Sequence, residues 1–243
     1  MNPFARTEQL LDHGAMEKIK AAKGAVFGLG AVGSFAVEAL ARTGVGRLCL
    51  IDFDRVEASN INRQLLALNS TIGREKAVLA QERVRDIHPE CEITVKSAFV
   101  NAERLEELLS DDIDVVVDAI DGLNSKINLL VGARQMNLCV VSSMGAGGKT
   151  DISLIRAGDI SETEVCPLAR VVRQRLHRLG VYEGIRAVYS IEKPLNKQPF
   201  NAEDAGDALP GHGRPRPPIG TVAWVPGVFG LTVAQEVIRL ITG

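Results

Sequence analysis

Cysteine is sparse and unpaired in this chain. Cys49, Cys91, Cys139 and Cys166 are scattered with no CxxC pair and no Cys/His spacing suited to zinc, so no zinc is expected. Cys49 and Cys139 lie in apolar runs of strand type and Cys91 opens CEITV; all three are expected as buried thiols in a reducing compartment. An excess of positive charge is lacking too. With 28 Lys and Arg against 30 Asp and Glu the net charge is -2, and contact with RNA would need a local basic patch. The N-terminus, MNPFARTEQLLDHGAMEKIK, has no apolar signal core, which predicts a cytoplasmic protein. Only residues 219–241 are apolar enough to suggest a membrane span. Pro226, Gln235, Glu236 and Arg239 interrupt them, so stable insertion is not expected, while peripheral association through this segment stays open.

What is present is ordinary for a globular chain: 46% hydrophobic and 24% charged residues over a length of 243, for which one domain is the default. Short apolar runs alternate with helical periodicity. GAVFGLG, RLCLIDFD, EITVKSAF, DVVVDAID and LCVVSSMG read as strands, and AVGSFAVEALARTG, REKAVLAQERVRDIHP, ERLEELL and residues 125–136 read as helices. This alternation predicts at least five strands in a parallel sheet, with their C-termini on one edge. Residues 1–155 are expected to form the nucleotide-binding half and 156–243 a substrate-side segment. In the latter, 196–218 reads as a mobile surface loop, GTVAWVP as a returning strand and GVFGLTVAQEVIRLI as a closing helix, the C-terminal strands running antiparallel.

Gly28, Gly30 and Gly33 form GLGAVG between the first strand and the first helix after it. There the first glycine permits a tight turn, the second lets backbone approach a phosphate, and the third lets helix and strand pack closely. The helix N-terminus adds N–H groups and a positive dipole. The expected class is therefore α/β, a Rossmann-like mostly parallel sheet with helices on both faces. Asp52, nineteen positions after Gly33, ends the second strand where a carboxylate can accept both ribose hydroxyl protons. A dinucleotide would fit equally well to this point. Arg63 and Lys76 beyond that strand favour ATP, because a triphosphate about to lose pyrophosphate needs cationic partners. Asp118 and Asp121 end the fourth strand; Asp121 is the more exposed choice for Mg²⁺, which takes one or two carboxylates with phosphate oxygens and water. Taken singly each charge is more often a solvated loop residue. Gathered at one sheet edge they favour a site.

GLGAVGSFAVEALARTGVGRLCLIDFDRVEASNINRQ, with GREK and DAIDG, resembles the ThiF/MoeB/ubiquitin-activating-enzyme superfamily of adenylating proteins. Within it, FARTEQLL, SSMGAGGK, CPLARVVRQRL and YSIEKP are similar to the branch that dehydrates threonylcarbamoyladenosine in tRNA. The resemblance implies that Asp52, Asp54, Asn60, Arg63, Lys76 and Asp121 contact ATP or its magnesium, and that Arg6 reaches into the other active site of a homodimer. It implies a carboxylate activated as its adenylate. Arg63, Lys76, Arg6 of the partner subunit and an Asp121-held magnesium then stabilise departing pyrophosphate, and the substrate's own carbamoyl group closes on the acyl carbon. Need for a monovalent cation, and partnership with a cysteine desulfurase or sulfur-acceptor protein, stay open. The paired zinc cysteines of many sulfur-carrier activators and a rhodanese domain are missing, which weighs against the runner-up, adenylation of a carrier protein's Gly-Gly terminus. Intact Arg63, Lys76 and Asp121 weigh against a non-catalytic nucleotide-binding scaffold.

SMGAGGKT resembles the end of a P-loop, but Ser143 stands where that pattern needs glycine. Gly145 to Gly148 are read instead as backbone giving substrate access, with Lys149 nearby. The helix after Cys166 carries Arg170, Arg173, Arg175, His177 and Arg178 without an acidic residue. RNA phosphate contact and a solvated face are its two readings. Cys166 precedes a proline that can open this helix; a reactive thiol and a packed one are both open, the packed one being commoner.

Overall fold

The structure, a computed structural model, describes residues 2–110, 112–195 and 219–243. The loop expected at 196–218 lies outside the described residues. The elements run α1 (Ala5–Ala21), β1 (Lys23–Phe27), α2 (Gly33–Thr43), β2 (Arg47–Ile51), α3 (Lys76–Ile87), β3 (Glu92–Lys96), α4 (Leu105–Leu108), β4 (Val115–Asp118), α5 (Leu123–Gln135), β5 (Cys139–Ser143), β6 (Ile155–Asp159), α6 (Pro167–Arg178), β7 (Arg186–Ser190) and α7 (Trp224–Thr242).

Seven strands form one sheet in the order β3-β2-β1-β4-β5-β7-β6. Every neighbouring pair is parallel except β6 with β7. The central strands β1, β2 and β4 are apolar on both faces because helices cover both, and the two-residue period sorts their side chains. Val26, Val115 and Val117 join one core with α2, α3 and α7, while Ala25, Phe27 and Val116 join the other with α5 and α6. The parallel strands bring the C-terminal ends of β1, β2, β4 and β5 to one edge, where the glycine turn, Asp52, Asp118 and the segment after Ser143 gather.

The boundary drawn at residue 155 falls at the first residue of β6, and β6 and β7 continue the same sheet. The antiparallel strand expected late in the chain is β6, whose VS-poor sequence IRAGD has little strand character. The reading of GTVAWVP as a strand is corrected: Trp224 to Gly227 are the first residues of α7. Pro226 is tolerated there because it falls in the helix's first turn, where no N–H is needed. Cys139 is corrected as well: it is exposed at the outer end of β5, while Cys49, Cys91 and Cys166 are buried.

α7 is long and apolar enough by composition to cross a membrane, with mean hydropathy 1.3, but half of it is buried inside the fold. Val225, Phe229, Val233 and Val237 are fully buried, each such side chain contributing about 1.5–3 kcal/mol. Gly230 sits so close to α2 that an added Cβ would lie 2.4 Å from Val32 O. The buried Glu236 meets Arg186 of β7 at 2.5 Å, which explains a carboxylate within an apolar helix.

Candidate functional site

The glycine turn separates what the fold requires from what a ligand requires. Gly28 adopts φ 87, and a Cβ there would stand 2.7 Å from Ala119 O; one on Gly33 would stand 1.8 Å from Gly28 O. Both are glycine for the fold. A Cβ on Gly30 would meet only the Gln64 side chain, with Nε2 at an ordinary 3.6 Å, so no internal crowding demands glycine there. Its bareness suits backbone that must approach a phosphate.

Asp52, buried at the end of β2, accepts hydrogen bonds from Leu29 N at 2.6 Å and Asp54 N at 2.8 Å. Burial raises its pKa above the usual carboxylate value, opposed by the charge of Lys76 and by these two N–H groups. Lys76 opens α3 with its ammonium buried, and Nζ donates to Asp54 Oδ2 at 2.8 Å. Arg63 is half-buried and donates to Ser59 O and Asn62 Oδ1, both at 2.8 Å. Asn60 is buried in the 3-10 turn Ala58–Asn60 and its Oδ1 accepts from Glu57 N at 3.2 Å. The segment from 52 to 76 thus folds back over the glycine turn.

Two side chains that stitch it there escaped the sequence reading. Ser34 Oγ donates to Gly30 O at 2.6 Å and accepts from Leu65 N at 3.3 Å. Gln64 is buried beside Gly30, and its Oε1 has no protein partner. The NRQ tripeptide was the available signal for Gln64; nothing in the sequence marked Ser34.

Asp118 and Asp121 have different surroundings. Asp118 is wholly buried, its Oδ2 accepting from Lys126 Nζ at 2.6 Å and from Ser142 Oγ at 2.5 Å. Asp121, three residues on, is exposed at the edge. Among the described residues no three His, Cys, Asp or Glu side chains gather into a metal-binding group. An exposed carboxylate at a sheet edge suits an ion that arrives on phosphate oxygens and water, and does not by itself make a protein cage.

On the β5 side, residues 219–221 lie across the edge. Gly148 N donates to Gly220 O at 2.8 Å, Asn62 Nδ2 to Thr221 O at 3.0 Å, and Trp224 Nε1 to Thr150 O at 2.9 Å. Lys149 is buried beneath them; Nζ donates to Gly145 O at 2.5 Å and lies 5.9 Å from the Phe229 ring centroid. Burial lowers its pKa, with Cys166 and Glu192 opposing. Cys166 precedes Pro167 at the start of α6, as expected, but its sulfur is buried, 3.7 Å from the Cβ position of Gly145.

The arginines of α6 divide. Arg170 and Arg178 are exposed, as is His177. Arg173 is tied to Thr163 O and Oγ1, and Arg175 donates to Asn124 Oδ1 at 2.7 Å. Arg6 is exposed on α1. Phe4, two residues before it, packs against Gly44 and His88. Gly44 caps the far end of α2, a helix of 11 residues, or about 16 Å of axis. Arg6 therefore starts from the edge of the sheet opposite its own chain's glycine turn.

A mostly parallel sheet with a glycine turn after its first strand, an acidic residue after its second, and a segment carrying arginine and lysine packed against that turn through Leu65 has the form of a nucleotide-binding α/β protein. The ThiF family pattern matches residues 4–243, and the chain belongs to the ThiF family. It is 37% identical over 238 residues to tRNA threonylcarbamoyladenosine dehydratase of Bacillus subtilis, covering 98% of this chain and 94% of that protein. The crystal structure of the Escherichia coli tRNA N6-threonylcarbamoyladenosine dehydratase in complex with ATP superimposes with a TM-score of 0.85 at 32% identity, covering 98% of this chain and 93% of the other. Escherichia coli molybdopterin-synthase adenylyltransferase matches a smaller part: 33% identity over 131 residues, 54% of this chain and 52% of that protein.

Proposed function

We propose that this protein is an ATP-dependent tRNA threonylcarbamoyladenosine dehydratase. The observation that carries the proposal is the buried Lys76 ammonium, with half-buried Arg63, at the sheet edge that holds the glycine turn. The near full-length similarity to dehydratases supports the substrate, and the shorter match to a sulfur-carrier activator disfavours the runner-up.

In this reading the N–H groups of the glycine turn and the N-terminus of α2 receive phosphate, and Asp52 meets the ribose hydroxyls. The threonylcarbamoyl carboxylate attacks the α-phosphorus, the bond to the bridging oxygen breaks, and pyrophosphate departs. Lys76 and Arg63, joined by Arg6 of the partner subunit in a homodimer, offset the charge on the leaving group. Preorganised groups of this kind lower a barrier by several kcal/mol. The carbamoyl group then attacks the acyl carbon and gives up a proton to solvent as AMP leaves with the former carboxylate oxygen, so one water equivalent is lost. Because that nucleophile belongs to the substrate, no protein thiol is required, in keeping with the burial of Cys166. Magnesium, held by Asp121 and the phosphates, would neutralise charge and orient the triphosphate. Arg170 and Arg178, exposed on α6 and without an ion pair among the described residues, are the cations offered to RNA phosphate, and the setting is the cytoplasm.

The test is pyrophosphate release with ATP and magnesium, comparing threonylcarbamoylated tRNA, unmodified tRNA and a Gly-Gly carrier protein. Release with the modified tRNA alone is expected. Release with the carrier protein alone would replace this reading by the runner-up.

A further inference from the structure

The loop 118–122, which carries Asp121, is held at both ends by one residue. The Lys126 backbone N–H donates to Gly122 O at 2.9 Å, and its ammonium, wholly buried, donates to Asp118 Oδ2 at 2.6 Å and Ser143 O at 3.0 Å. Ser142 Oγ donates to the same Asp118 oxygen at 2.5 Å, and Ile120 N donates to the other at 3.1 Å. Ala119, inside the loop, donates its N–H to Phe27 O at 2.8 Å. Its own carbonyl is the atom that excludes a side chain from Gly28. The ends of β4 and β5 and the first turn of α5 therefore meet at one ammonium, and the glycine turn packs on the same loop through Ala119.

A buried ion pair is a poor device for stability, since desolvating both charges consumes most of what their attraction returns, and an apolar pair of similar volume is often as stable. What it supplies is direction: a fixed length and angle between strand ends that apolar packing leaves softer. We infer that Asp118, Lys126 and Ser142 are positioning residues for the reaction, setting where the Asp121 carboxylate stands relative to the glycine turn. All three side chains are wholly buried, so they act through the loop. The inference rests on the proposed function for the role of Asp121, yet it concerns the binding of Mg-ATP and is tested without tRNA.

The experiment compares the wild type with Asp118→Asn/Lys126→Met, which removes both charges together and leaves neither stranded. Three quantities are read: unfolding temperature, ATP dissociation constant with and without magnesium, and pyrophosphate release. The double variant should keep a cooperative unfolding transition and bind ATP without magnesium within about two-fold of wild type. The improvement in ATP affinity that magnesium brings should shrink by about ten-fold, as when an outer partner of a metal-binding residue is lost, and kcat should fall by a similar factor with little change in KM for ATP. An effect on folding alone would not separate magnesium-dependent from magnesium-independent binding. If the double variant does not fold, Ser142→Ala removes one hydroxyl and should show the same pattern at about three-fold. Unchanged magnesium coupling in either folded variant overturns the inference, as does a wild type whose ATP affinity ignores magnesium. A wild type that shows the coupling but releases no pyrophosphate with any acceptor would overturn the proposed function and leave this inference standing.

Discussion

Asp54 Oδ2 lies 2.8 Å from Lys76 Nζ, joining a buried ammonium to a carboxylate that is 44% exposed. Asp52, which accepts from Asp54 N, also accepts from Leu29 N of the glycine turn, and in the proposed reaction a triphosphate takes over as counter-charge to Lys76. Asp54→Ala removes the lysine's hydrogen-bonded carboxylate and leaves only the more distant charge of Asp52, and removing one partner of a buried polar contact costs about 1–3 kcal/mol. The unfolding temperature should fall without ligand and recover with Mg-ATP by more than the wild type gains. Equal gains in both proteins would separate Lys76 from the triphosphate.

Lys76→Met, which keeps the bulk and removes the charge, should fold and lose pyrophosphate release by at least about a hundred-fold, the scale of one preorganised electrostatic contact. Turnover within a few-fold of wild type would exclude Lys76 from leaving-group stabilisation.

The three glycines of the turn should behave differently. Gly28→Ala and Gly33→Ala force a side chain into backbone oxygen and are expected to cost about 3 kcal/mol or more. Gly30→Ala should change stability by less than about 1 kcal/mol while weakening ATP about ten-fold, equal to 1.4 kcal/mol. Denaturant unfolding and calorimetry check the pair of outcomes, and a destabilised Gly30→Ala with intact ATP affinity would reverse the assignment.

Because Phe4 anchors α1 beside Gly44, Arg6 is expected to serve the other subunit of a dimer. Mixing inactive Arg6→Ala with inactive Lys76→Ala protein should restore about a quarter of wild-type activity, since half of randomly exchanged dimers are hybrids with one complete site of two. No recovery, with subunit exchange demonstrated by mass, would place Arg6 in its own chain's chemistry or outside it.

On α6, Arg170→Gln/Arg178→Gln should weaken tRNA binding and flatten its dependence on log salt by one to two units, about 0.7–0.9 per lost phosphate contact. Arg173→Gln should instead lower stability, because its guanidinium is committed to Thr163. If the paired variant keeps the wild-type salt slope, RNA docks elsewhere.

Alkylation of the native protein should mark Cys139 first, as the exposed thiol. Burial pushes the Cys91 thiol up to about 11 and raises Cys49 as well, so these should react only on unfolding. Cys166→Ala should keep its turnover; a loss beyond about ten-fold would bring the thiol into the mechanism.

By itself the sequence determined the parallel sheet through β5 and the glycine turn, and it singled out Asp52, Arg63, Lys76 and Asp121 as candidates. These are local facts: apolar runs of strand length, a strand-turn-helix context, charged residues just past strand ends, and parallel connections that carry those ends to one edge. Tertiary structure alone decided the rest. It made α7 begin at Trp224, because the face with Gly227 and Gly230 had α2 to pack against, and it buried Glu236 against Arg186 fifty residues earlier. It divided α6 into exposed Arg170 and Arg178 and committed Arg173 and Arg175, a split that depends on neighbours no helical period contains. Above all it paired Asp118 with Lys126 and Ser142. A lysine four residues into a helix reads as a solvated charge, and only the meeting of β4, β5 and α5 at one point removes it from water and gives it a carboxylate to hold.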